Sequence, residues 1–216
     1  MKKITLLTVF SVLLSSTAFL PMCQAVTVGV SVGDWFKYKV KVTEYVSDGP
    51  FPPPLSPLTL ADNETNWIMY NVTGIVQDVI NFTVTYNWKN GTTTYADMNE
   101  NVTFSYVMLA IGANMNQGEM VRDTFLFFGF YQWPALYLNA SIMLVNPNAT
   151  RETNVCDYSI NIYGSLYDYL LYWDKATGMR VYYENHGNVA QIETQPAYVY
   201  TVKWELVDSS LNGLLV

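Results

Sequence analysis

The sequence predicts a mainly β protein. It reads as a single antiparallel meander of about ten strands, curved into a half-barrel or open barrel, with little helix. Three observations predict this. Apolar and polar residues alternate with a period of two in one segment after another, the mark of strands with one dry face. Short turn signals such as Asn90-Gly91 and Asp174-Lys175-Ala176-Thr177-Gly178 separate those segments. Asn-x-Ser/Thr sequons fall inside them, and on a strand a glycan-bearing Asn must face water while its neighbours face the core.

The first residues set the compartment. Lys2 and Lys3 precede an uncharged apolar run from Ile4 to Leu20, Pro21 breaks it, and Cys23-Gln24-Ala25 offers small residues for cleavage. Residues 1–25 therefore read as a signal peptide cleaved near Ala25, and residues 26–216 as one secreted or cell-surface domain. A retained membrane anchor and a lipidated Cys23 are the alternatives. Cleavage removes two lysines and no acid, leaving nine bases against eighteen acids, a net charge of −9. That balance argues against nucleic acid or an anionic membrane as partner. With Cys23 gone, Cys156 stands alone and reads as a small buried apolar residue.

Along the mature chain, Val26 to Val32 alternates as a strand, and Gly33-Asp34 is a turn. Trp35 to Val46 follows with Phe36, Tyr38, Val40 and Val42 on one face and Lys37, Lys39, Lys41 and Thr43 on the other. Residues 49–58 hold five prolines and form a loop. Asn66 to Gln77 and Val79 to Trp88 are strands around Gln77-Asp78, and Asn90-Gly91 signals a type I′ hairpin into Thr92 to Tyr106. Val107 to Asn116 suits a short helical turn. Phe125 to Leu138 is strongly aromatic but too short and broken to span a membrane. Tyr137 to Val145, Asn154 to Gly164, Tyr167 to Trp173, Met179 to Asn185 and Ala197 to Val207 are the later strands.

Seven sequons are present, at Asn63, Asn71, Asn81, Asn90, Asn101, Asn139 and Asn148, against about three expected by chance from composition. They predict N-glycosylation and a map of faces. Phe82, Val84, Tyr86 and Trp88 point inward opposite Asn81, Thr83, Thr85 and Asn87. Ile68, Tyr70 and Val72 oppose Asn71; Val102, Phe104 and Tyr106 oppose Asn101; and Leu138, Ala140, Ile142 and Leu144 form the inward set beside Asn139.

Three segments carry a resemblance: Val32-Gly33-Asp34-Trp35-Phe36-Lys37-Tyr38, Ala113-Asn114-Met115-Asn116-Gln117-Gly118-Glu119, and Tyr172-Trp173-Asp174-Lys175-Ala176-Thr177-Gly178-Met179. Together they resemble a family of uncharacterised exported archaeal β-sheet proteins. The last is also similar to the strand-turn-strand of lipoprotein-carrier-like sheets, which hold an apolar chain on a concave face. The resemblance implies a curved sheet and brings no catalytic residues with it.

The sequence holds no nucleophile elbow, phosphate loop, Cys-x-x-Cys pair or zinc-binding His-Glu-x-x-His. The lone histidine, His186, sits between Asn185 and Gly187 at an apparent turn. No catalytic residue, metal or cofactor is expected. The expected function is a non-catalytic surface glycoprotein that binds an apolar small molecule, lipid or partner on the concave face. Phe127, Phe130, Trp133, Tyr200 and Trp204 are the lining candidates. The alternative is self-association: a filament or layer subunit assembling by strand addition through residues 26–32. A carboxylate hydrolase using Asp168, Asp174 and Glu184 is the third reading.

Overall fold

The chain enters the sheet through a tight turn. Gly33 adopts φ +98, the Asp34 N–H donates to Ser31 O at 3.0 Å, and the Ser31 N–H donates to Asp34 Oδ2 at 2.8 Å. In the computed structural model, which describes residues 26–47, 64–103, 108–127, 131–146, 149–191 and 196–211, β1 (Trp35–Ser47) follows at once. Phe36, Tyr38 and Val40 are buried, while Lys39 and Lys41 are exposed. β2 (Thr65–Val76) and β3 (Val79–Trp88) then form a hairpin, and β4 (Thr93–Asn101) adds an outer strand.

The β3–β4 turn departs from the expected type I′. Gly91 has φ +86 but Asn90 does not have positive φ, and the Gly91 N–H donates to Trp88 O at 3.0 Å. This is a type I turn completed by a left-handed glycine. The type I′ geometry lies instead at Tyr163-Gly164, where φ is +51 and +83. β4 also stops at Asn101 rather than running to Tyr106; Phe104, Ser105 and Tyr106 lie outside the described residues. So do residues 1–25, expected to be a signal peptide, the expected proline-rich loop at 49–58, Asn63 and Asn148.

From β4 the chain crosses to the far edge of the sheet. Met108 to Ile111 contain no helical turn: they run irregularly, with Ala110 bridging Met179. Then β5 (Met120–Arg122), β6 (Phe125–Phe127), β7 (Tyr131–Trp133) and β8 (Leu136–Tyr137) form a nested ribbon, β5 with β8 and β6 with β7. β9 (Ala140–Asn146), β10 (Ala149–Ile162), β11 (Ser165–Asp174), β12 (Arg180–Val189) and β13 (Tyr198–Ser209) meander back until β13 pairs with β1. The product is an open antiparallel sheet of nine strands, ordered β4-β3-β2-β1-β13-β12-β11-β10-β9. Among the described residues no helix is long and apolar enough to cross a membrane.

Register defines the inner face. One row reads Cys156, Leu171, Tyr183, Trp204, Val40 across β10, β11, β12, β13 and β1. Phe82 and Val84 are buried, and Tyr198, Tyr200 and Trp204 share one side of β13 with Val202 and Leu206, as the alternation predicts. Two expectations fail. Ala140 and Ile142 pair with Val155 and Thr153, on the side opposite Cys156 and Tyr158, whereas Leu138 is buried in the core and Leu144 packs against it, as expected. His186 lies inside β12, not in a turn.

The crossing segment is fastened at the turn from Asp174 to Gly178. The Gly178 N–H donates to Asp174 O (2.7 Å), and the Asp174 carboxylate accepts from the Thr177 N–H (2.9 Å) and hydroxyl (2.8 Å). Arg151 Nε lies 3.3 Å from the same carboxylate. Around this turn the Ile111 N–H donates to Gly178 O, the Asn114 N–H to Lys175 O, and the Arg180 N–H to Leu109 O. The Trp173 indole N–H reaches Met108 O at 3.1 Å.

The segment Val26 to Val32 joins here too, and it is not a strand. Gly29 is pressed so closely that an added Cβ would meet Ala176 O at 2.5 Å, and Val30 is buried. Packing against the turn outweighs the alternating pattern.

Gly178→Ala is expected to lose about 3 kcal/mol or more, because φ +72 and an Ile111 carbonyl 2.1 Å from the new Cβ leave no room. Asp174→Ala is expected to lose about 2 kcal/mol by stranding buried donors. Lys175→Ala, which removes only a surface ion pair to Glu152, is expected to stay within ~0.5 kcal/mol. Urea unfolding of the three variants checks this ranking. A wild-type midpoint for Gly178→Ala would refute the docking role.

Candidate ligand-binding face

The inner face divides along the strands. Toward the Asp174–Gly178 turn it is a closed core in which Phe36, Tyr38, Leu171, Trp173 and Leu206 have no accessible surface. Toward the opposite end its residues change in kind. One row pairs Tyr158, Tyr169, Asn185 and Val202, and the next pairs Ile160, Tyr167, Gly187, Tyr200 and Tyr45. Tyr45, Tyr158, Tyr167, Tyr169, Tyr198 and Tyr200 are all half-buried.

These rings stack in short runs. Tyr158 and Tyr169 lie 4.8 Å apart at 11°, Tyr198 and Tyr200 6.0 Å apart at 27°, and Tyr45 and Tyr198 6.2 Å apart at 29°. Gly187 makes the arrangement possible. The Tyr200 ring lies against its backbone, and a Cβ at Gly187 would sit 2.2 Å from that ring. A glycine within a strand is weak unless an aromatic neighbour covers it in this way.

Two arginines sit among the rings. Arg180 is enclosed by Tyr183 (5.0 Å), Trp204 (5.2 Å) and Tyr38 (5.9 Å), and the Tyr38 hydroxyl donates to Arg180 O at 2.7 Å. Arg122, from the crossing ribbon, lies 5.5 Å from the Trp133 ring, and Trp133 in turn lies 6.5 Å from Tyr169. Buried Glu100 is bound by the Leu109 N–H at 2.8 Å. Burial raises the phenols of Tyr158, Tyr183 and Tyr200 far above the ordinary value and pushes Tyr169 up to about 12. Burial likewise pushes the Cys156 thiol up to about 12, against the pull of Arg122, so this cysteine is a packing residue and not a nucleophile. At neutral pH the phenols of Tyr158, Tyr169 and Tyr200 are neutral, and the hydroxyl oxygens of Tyr45 and Tyr158 are buried.

The five lining candidates separate. Trp133 and Tyr200 belong to the tyrosine-lined end, linked through Tyr169. Trp204 is buried in the closed half, boxed against Arg180. Phe127 lies on β6, but its side chain, like the whole of Phe130, is outside the described residues. Sequence reading missed Tyr45, Tyr158, Tyr167 and Tyr169 as lining residues. The Tyr167-x-Tyr169 alternation was the available signal; the Asn-His-Gly triplet masked Gly187 by looking like a turn.

The acids named for hydrolysis do not form a site. Asp174 is locked in its turn. On the outer face, Asp168 accepts from the Ser159 hydroxyl, and Glu184 accepts from the Tyr182 hydroxyl and lies 3.1 Å from Lys203 Nζ. His186 Nδ1 sits 2.9 Å from the Thr201 hydroxyl oxygen, which donates to Glu44. Among the described residues no group of three or more His, Cys, Asp or Glu is arranged to hold a metal.

The described sequon asparagines lie on the outer side or in turns. Asn71 and Asn81 share the outer face of β2 and β3. Asn90 and Asn101 each accept from the N–H and hydroxyl of the Thr two residues on. Asn139 is exposed and accepts from the Asp157 N–H at 2.5 Å. No protein-family model matches the chain, and no curated protein is significantly similar to it.

The raised phenols predict an alkaline limit. A phenol with a folded pKa above its unfolded value of 10 stabilises the fold fully below pH 10 and loses that contribution as pH rises through the folded value. Stability is therefore expected to fall from pH 10 toward 12, with tyrosinate absorbance appearing alongside unfolding. Full ionisation near pH 10 in a still-folded protein would show that the rings are wet.

Proposed function

We propose that this chain is a non-catalytic exported glycoprotein of the cell surface whose inner sheet face holds an apolar small molecule, lipid or apolar partner. One observation carries the reading. Six tyrosines that register places together are only half-buried, at the end of a face whose other half is closed. Such a surface combines π faces and neutral donors, as small-molecule sites do. The ribbon of β5–β8 brings Trp133 to within 6.5 Å of Tyr169 in the same region. Export rests on the N-terminal segment and the sequons. Strand addition through residues 26–32 finds no favouring observation, since that segment packs into its own chain.

The test is saturable binding of N-phenyl-1-naphthylamine, a neutral apolar fluorophore, to the mature protein. Tyr169→Ala or Tyr200→Ala is expected to weaken binding about tenfold, the loss of ~1.4 kcal/mol of ring contact. Tyr172→Ala, on the outer face against Val155 and Tyr182, is expected to leave it unchanged. Equal losses in all three, or no saturable binding, would remove the reading.

A further inference from the structure

A shallow cleft of about 460 Å³ opens between β2, β3 and β4, lined by Thr73, Asn81, Thr83, Asp97 and Asn99 together with Phe82 and Met98. Asn81 and Thr83 are a sequon pair, and the two-residue period of the strand puts both on the outer face. Across the ladder Asn81 meets Gly74 on β2, just past a bulge, and Asn99 on β4. A Cβ at Gly74 would stand 3.2 Å from the Asn81 carboxamide nitrogen. The glycine therefore leaves space at the one atom a glycan attaches to. The Thr73 hydroxyl donates to Asn81 O at 3.2 Å, and the Thr83 hydroxyl donates to Asp97 Oδ1 at 3.1 Å, so the polar walls are held in place.

We propose that Asn81 is a modification site whose N-linked saccharide is docked, its first pyranose ring lying in this cleft. The inference rests on the glycoprotein reading above. In the transfer, Asn81 Nδ2 bonds to the anomeric carbon of a polyprenyl-phosphate-linked saccharide, the anomeric C–O bond breaks, the lipid phosphate leaves with the electron pair, and the amide loses one proton to the transferase's base. The remaining N–H and the cleft's hydroxyl, amide and carboxylate groups suit the hydroxyls of a sugar. A saccharide here lies beside β4, whose residues Thr93 to Asp97 are exposed at the sheet edge. Covering an edge strand blocks pairing with another chain.

The test is made on the full chain expressed in a host that N-glycosylates exported proteins. Each sequon is mapped by mass spectrometry after enzymatic deglycosylation in heavy-oxygen water, and amide exchange is followed in residues 97–99. Asn81 is expected to be occupied. Asn81→Gln, and Gly74→Val with its crowded cleft, are expected to speed exchange at 97–99 about tenfold at an unchanged unfolding midpoint. Sugar at Asn90 and Asn139 with Asn81 bare would overturn this proposal alone. Occupied Asn81 with exchange unchanged in both variants would overturn the docking. No sugar at any sequon would overturn this proposal and the glycoprotein reading together.

Discussion

A chain that lays four strands outward from β1 and then five back toward it must carry its backbone from one edge of the sheet to the other. Nine strands spaced ~4.8 Å apart make that crossing about 38 Å wide. Residues 102–139 make it, and the described part packs Met108 to Ile111, Val121, Leu136 and Leu138 against the apolar face of the sheet. The crossing thus supplies the layer that a single sheet lacks. The two wings are then joined by β1 and β13, which pair along almost their full lengths.

The crossing needs a fastening point, and the turn from Asp174 to Gly178 provides it. A buried carboxylate is costly unless bonded. Asp174 is bonded, and in holding Thr177 it exposes the carbonyls of Lys175 and Gly178 to the passing segment. Two distant segments meet it: the Asn114 N–H donates to Lys175 O, and the Tyr38 hydroxyl of β1 reaches the carbonyl of Arg180 next door.

The same division explains why the two ends of the inner face differ. Near the turn, chain from both wings and the crossing converges, and side chains there are fully enclosed. At the other end the floor is wide rings laid on a glycine, Tyr200 on Gly187, and the rings keep part of their surface accessible. On the outer face Lys37, Lys41 and Lys203 are each paired to an acid.

The period-two alternation by itself determined the antiparallel β class, most of the long strands and most of their inward sides, because side-chain direction along a strand is local geometry. Phe82, Val84, Tyr200 and Trp204 were assigned in that way. The turn at 174–178 was equally legible, since Asp, Thr and Gly act within five residues. Only the tertiary structure decided where Val26 to Val32 goes, because a glycine pressed onto Ala176 outweighs local alternation. It also placed Ala140 and Ile142 on the side away from Cys156, because burial near β9 occurs on both faces. And it separated Trp204, a core residue, from Tyr200, which keeps part of its surface accessible. Those two differ by four residues on one face of one strand; what distinguishes them is which neighbours from distant strands stand above each, and register across a sheet is set by long-range packing.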